Sequence, residues 1–160
     1  MTRPELIRPD GYMGAAERVL AGAPARRGWR GPKLDAPTQE ALAAAVGAAS
    51  RRLRVSPYPA QVAAAIGLLE GHAVEMKTGE GKTLSAVWAA ATRAQEGRHV
   101  MVLTANDYLC ERDSNALRDA FGELGLEVGL VLPGMTLEQK RAHYARDVVY
   151  LSFKEAVFDW

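Results

Sequence analysis

The chain has 160 residues, 48% apolar and 24% charged, with a net charge of +1 and one cysteine, Cys110. This balance fits one domain with or without a loosely packed arm, and it excludes wholesale disorder, an internal disulfide and a cysteine metal cluster. No apolar run reaches the roughly 18 residues of a membrane-spanning helix, and the opening residues do not lead into a signal-peptide apolar core.

Charge divides the chain. Residues 1–54 carry ten Lys/Arg against five Asp/Glu, and residues 55–160 carry ten against fourteen. The expected organisation is an N-terminal basic arm with a helix over 1–54 and a domain over 55–160. Such an arm can meet acidic lipid or another polyanion, although a solvated surface is the plainer reading. The run Arg26-Arg27-Gly28-Trp29-Arg30-Gly31-Pro32-Lys33 is loop-like, and only 14–20 reads as a short helix before it. Trp29 among arginines suits base stacking, but anchoring the arm on the domain is the simpler role. A helix follows over 38–54, with Leu42, Val46, Ala49 and Leu53 on one face. Pro57 and Pro59 end it, because proline lacks an N–H and restricts its predecessor. An Ala- and Leu-rich helix spans 60–69, and Gly71 stops it.

From there strands and helices alternate. Strands are expected at 73–76, 99–104, 127–132 and 147–151. Helices are expected at 82–95, 107–121 and 137–145, with another beginning at 153. Thr136 and Gln139 form a capping-box signature. Short apolar runs alternating with helices predict an α/β fold with a parallel sheet flanked by helices.

The first strand leads into Met76-Lys77-Thr78-Gly79-Glu80-Gly81-Lys82-Thr83. Strand, glycine-bearing loop with Gly-Lys-Thr, then helix is the setting of a phosphate-binding loop. Backbone N–H groups converge on phosphate oxygens there, and the helix N-terminus adds partial positive charge. Lys82 would reach the β/γ-phosphates of a nucleotide, and the Thr83 hydroxyl would ligate Mg²⁺. The general pattern asks for Gly at position 76, where this chain has Met. Glu80 suits a solvent-facing or Mg²⁺-proximal position better than a general base. Asp107 and Arg112 follow the second strand, at the edge where parallel sheets place ligands. Asp107 also suits a plain helix cap, and Arg112 either pairs with a neighbouring acid or links to another domain. Trp88 reads as core and Cys110 as a buried, unreactive thiol. The three histidines have no ligand-like spacing.

Further segments fall in line with the loop. They are Gln61; Thr104-Ala105-Asn106-Asp107-Tyr108-Leu109-Cys110-Glu111-Arg112-Asp113; Leu132-Pro133-Gly134-Met135; and Lys140-Arg141-Ala142-His143-Tyr144 leading to Asp147-Val148-Val149-Tyr150. In this order and spacing, residues 55–160 closely resemble the first nucleotide-binding domain of the SecA family of bacterial preprotein translocase motors. The family's loop reads like this one, Met included. The segment 151–160 departs from the family's usual Gly-Thr-Asn-Asn-Glu type: Glu155, Phe158 and Asp159 are kept, while Ser152, Phe153 and Lys154 are not. A housekeeping translocase and a divergent paralogue both remain open on that ground.

The resemblance implies a helicase-like P-loop NTPase fold, incomplete over these residues, with an N-terminal helical arm. It implies ATP and ADP with Mg²⁺ as ligands, with Gln61 reading the adenine edge. The phosphates would be wrapped by Met76, Lys77, Thr78, Gly79, Glu80, Gly81, Lys82 and Thr83. It implies unfolded preproteins and the SecYEG channel as partners of the whole motor, no specific nucleic acid, and a cytoplasmic location on the inner face of the membrane. The Asp-Glu pair that such motors use on a later strand is absent, since no Asp-Glu dipeptide occurs in the chain, so hydrolysis by these residues alone is not expected. Two other readings stand beside this one: a fragment of a superfamily 2 nucleic-acid helicase, and a degenerate, non-catalytic nucleotide-binding or docking module.

Overall fold

The computed structural model describes residues 6–7, 12–21 and 34–159. The loop-like run 26–33, with Trp29, lies outside the described residues. The elements in chain order are β1 (Leu6–Ile7), α1 (Met13–Leu20), α2 (Ala36–Leu53), α3 (Pro59–Leu69), β2 (Ala73–Val74) and α4 (Lys82–Gln95). Then come β3 (Val100–Thr104), α5 (Asp107–Glu123), β4 (Val128–Leu130), α6 (Leu137–Tyr144), β5 (Val148–Ser152) and α7 (Phe153–Asp159). The expected α/β alternation is present, with helix boundaries within a few residues of the reading from sequence.

Local chemistry sets those boundaries. Asp35 caps α2 by accepting from the Thr38 N–H at 3.0 Å, and Pro37 sits in the first turn, where its missing donor costs nothing. Pro59 starts α3 in the same way. At α6 the capping box is formed in both directions: Gln139 N–H donates to Thr136 Oγ1 at 3.3 Å, and Thr136 N–H donates to Gln139 Oε1 at 2.8 Å.

The strands β3, β5 and β4 form a parallel sheet in that order, with Val100 opposite Val148 and Val128 on its other side. Central β5 is buried along its whole length, as expected of a strand covered on both faces. Its residues alternate between two clusters. Val148 and Tyr150 join the main core with Leu42, Val62, Ile66, Trp88 and Phe121. Val149 and Leu151 join a smaller cluster with Val131, Tyr144 and Ala156, under α6 and α7. Helix α3 is apolar and buried nearly all round, so it is an internal helix rather than an amphipathic one. Helix α2, within the segment set apart as an arm, places Leu42, Ala45, Val46 and Ala49 in the main core. At Gly129 of β4, a Cβ would meet the His143 carbonyl oxygen at 2.2 Å, so only glycine lets the end of α6 approach the strand.

The sheet differs from the four-strand expectation. β2 has two residues and ladders with β1, Leu6 opposite Ala73 and Ile7 opposite Val74, rather than with β3. The chain leaves the ladder at Glu75, already exposed, to enter the loop. β1 is a two-residue apolar step among Arg and Pro, too short to carry a period that would mark it as a strand.

Candidate functional site

The loop between β2 and α4 is built from within and held from outside. Gly79 and Gly81 both have positive φ, 87° and 86°. Gly81 is the N-cap of α4 and contributes no side-chain cap, so the first-turn N–H groups of α4 are left for another acceptor. Lys82 and Thr83 open this helix and are exposed. Glycine is required at 81 for a second reason: a Cβ there would lie 2.2 Å from Gln61 Nε2.

Met76 is 8% exposed and faces inward. Its Sδ receives the Ser85 hydroxyl at 3.6 Å, from the first turn of α4. The methionine thus supplies an apolar floor beneath the loop, which glycine would not.

Gln61 is brought onto the loop from α3. It is 6% exposed. Its Oε1 accepts from the Tyr58 N–H at 3.1 Å, and its Nε2 donates to the Glu80 carbonyl at 3.0 Å, 19 residues away. An amide has two donors and two acceptor sites, so one donor and one acceptor of Gln61 remain unused by these bonds. Glu80 is exposed, as expected. Its Oε2 accepts from the Lys77 N–H at 2.7 Å, and its own N–H donates to the Lys77 carbonyl at 3.3 Å. Lys77, Thr78 and Gly79 are exposed on the same turn.

Asp107 does not cap α5. Asn106 does so, its Oδ1 accepting from the Leu109 N–H at 2.9 Å. Asn and Asp are equivalent caps, and with two adjacent candidates the extended backbone at 106 decides. Asp107 stands one position inside the helix, and its Oδ1 is buried without a hydrogen-bond partner. Arg112 takes the first of its two expected roles and pairs with neighbouring Asp113 at 2.7 Å. No hydrogen bond or ion pair among the described residues joins Asp107 or Arg112 to the loop. Cys110 is fully buried, as expected, and burial pushes its thiol up despite the Thr104 hydroxyl 2.8 Å away.

The sequence reading missed a charged clasp between α6 and α7. Lys140 Nζ donates to Glu155 at 2.8 Å and to Asp159 at 2.6 Å, and the Tyr144 hydroxyl donates to Asp159 at 2.8 Å. The signal was present: each helix carries its two partners four residues apart, on one face. The hydrogen bonds it donates to Asp159 and then to Glu155 raise the Lys140 ammonium well above its ordinary range. Burial first and Asp159 second push Tyr144 up to about 12.

A separate cleft of about 520 Å³ opens where β4 begins, lined by Arg118, Leu126, Glu127, Val128, His143 and Arg146. Its cations are engaged: Arg146 pairs with Glu127, and Arg118 donates to the Val128 carbonyl at 3.4 Å. It includes no loop residue. Among the described residues, no three His, Cys, Asp or Glu side chains gather as a metal site, and no helix is long and apolar enough to cross a membrane.

Residues 19–160 match the family described as the SecA DEAD-like domain. The match begins earlier than the residues that carried the resemblance, so it takes in α2. Similar curated proteins are the protein translocase subunit SecA of Borreliella afzelii, 44% identical over 81% of this chain, and that of Treponema pallidum, 43% identical over 81%. The protein translocase subunit SecA 2 of Thermobifida fusca is 45% identical over 70% of the chain. The chain spans 14%, 14% and 15% of these relatives.

Proposed function

The chain belongs to the SecA family, and from that premise we propose that it is the nucleotide-holding part of a preprotein translocase motor. Residues 55–160 carry the nucleotide site, and residues 1–54 supply a basic arm whose helix α2 packs onto it. The ligands are ATP and ADP with Mg²⁺. Lys82 binds the β/γ-phosphates, Thr83 holds Mg²⁺ through its hydroxyl, and the first-turn N–H groups of α4 receive phosphate oxygens. Gln61 meets the adenine edge with the donor and acceptor its present bonds leave over. The observation that carries this reading is the uncapped start of α4 behind Gly81, with Gln61 fastened to the same loop.

In the whole motor, ATP turnover drives unfolded preproteins through the membrane channel from the cytoplasmic face, and the basic arm meets acidic lipid. The Asp-Glu pair that orients water and Mg²⁺ in this motor class does not occur in these 160 residues, so they bind nucleotide without appreciable turnover. The charge of residues 55–160 and the Asn106-Asp107-Tyr108-Leu109 stretch speak against a nucleic-acid helicase.

Titration calorimetry with Mg-ADP and Mg-ATP tests the reading. Lys82→Ala removes a charge-assisted contact worth about 1.5–3 kcal/mol, so affinity should fall roughly 10- to 100-fold with the circular-dichroism spectrum unchanged. A folded wild-type chain that binds neither nucleotide would overturn it in favour of a docking module.

A further inference from the structure

The geometry points to Glu80 as a positioning residue that braces the phosphate loop through the Lys77 N–H. This rests on the nucleotide reading above. All of Glu80's backbone polar groups and one carboxylate oxygen are committed to shaping the turn. The carboxylate accepts from the Lys77 N–H at 2.7 Å, the Glu80 N–H donates to the Lys77 carbonyl at 3.3 Å, and the Glu80 carbonyl accepts from Gln61 Nε2 at 3.0 Å. The side chain is thus folded back on the base of its own loop. With Met76 buried as the floor, the exposed Lys77 N–H at the loop's entrance takes the Glu80 carboxylate as a charge-assisted acceptor in place of water. A loop fixed in its binding shape loses less freedom when a phosphate arrives, which raises affinity without a direct contact.

The carboxylate also places a negative charge beside the phosphates, so removing it alters binding by charge as well as by the brace. Two variants of equal charge separate the effects. Glu80→Gln keeps a carbonyl oxygen that can accept from Lys77, and Glu80→Ala keeps none. Mg-ADP titration calorimetry and amide exchange at Lys77 are measured on both variants and on the wild-type chain, with thermal melts to show that each is folded. The expected result is that Glu80→Gln binds ADP about fivefold more tightly than Glu80→Ala, and that the Lys77 amide exchanges about fivefold faster in Glu80→Ala alone. Equal affinity and equal exchange in the two variants would overturn the brace, and an equal loss in both would assign Glu80 to the metal through its charge. If the wild-type chain binds no nucleotide, the nucleotide reading fails, and the exchange data alone decide whether the brace exists.

Discussion

At the scale of single residues, the loop depends on a contact that sequence spacing does not reveal. Gly81 has to be glycine twice over, for its φ of 86° and for the Gln61 amide against its α-carbon. Gly81→Ala would impose a left-handed alanine, on the order of 1–2 kcal/mol, and would also expel Gln61 from the Glu80 carbonyl. We expect a lowered melting temperature together with loss of Mg-ADP binding, and added Gln61→Ala should cost little more, because the first change has already broken that contact. Fully additive losses in the double variant would show that the two residues act independently. The local pattern placed Gly79 and Gly81 in the loop and Lys82 and Thr83 at the head of the next helix, where they stand, since strand, loop and helix are adjacent in sequence. It could not show why Met replaces glycine at 76, because the floor that Met76 builds exists only once α4 folds over it. Nor could it decide between Asn106 and Asp107 as cap, a choice made by one backbone angle pair.

At the scale of elements, the helices were legible and the strands less so. Caps and prolines are local signals, and they place α2, α3 and α6 within a residue or two. Strands of two or three residues, such as β1, β2 and β4, carry too little alternation to fix their length or partner. The α6–α7 clasp is an element-scale device with a definite pH dependence. The Lys140 hydrogen bond, opposed by burial and helped by Tyr144, holds the Asp159 carboxyl below its ordinary value of 3.8. A depressed carboxyl adds stability that is full above the unfolded value and is lost as pH falls through the folded one. Lys140 and Tyr144 are raised above 10.5 and 10.0, so their contribution is full below those values and fades only as pH climbs toward the folded ones. The clasp is therefore intact from about pH 4 to about pH 10. Asp159→Asn should melt lower than wild type at neutral pH and lose less between about pH 4 and pH 2, so the two melting curves converge in acid. Curves that stay parallel would mean that Asp159 titrates alike in both states and that the clasp contributes nothing.

At the scale of the whole molecule, the parallel α/β plan follows from the alternation of apolar runs and helices, but the joining of the sheet does not. β3 ladders only with β5 among the described residues, which leaves its other edge open. Its face beyond the main core carries Met101 and Leu103, 50% and 49% exposed, and the neighbouring α7 adds Phe153, Val157 and Phe158 at 64%, 59% and 73%. Single exposed apolar side chains are ordinary, but an open strand edge beside such a group is a template for association. Sedimentation velocity of the 160-residue chain should therefore show concentration-dependent self-association that persists as salt is raised, since apolar contacts are not screened. Leu103→Lys places a charge on that half-exposed face. It should reduce the association while changing stability by no more than about 0.5 kcal/mol, because a half-exposed site leaves the ammonium in water. The same substitution should leave Mg-ADP affinity as it was, since Leu103 lies in β3, outside both the loop and α4. Association that persists unchanged in Leu103→Lys would move the contact to another surface, and a wild-type chain that stays monomeric at all concentrations would show that the open edge of β3 is protected.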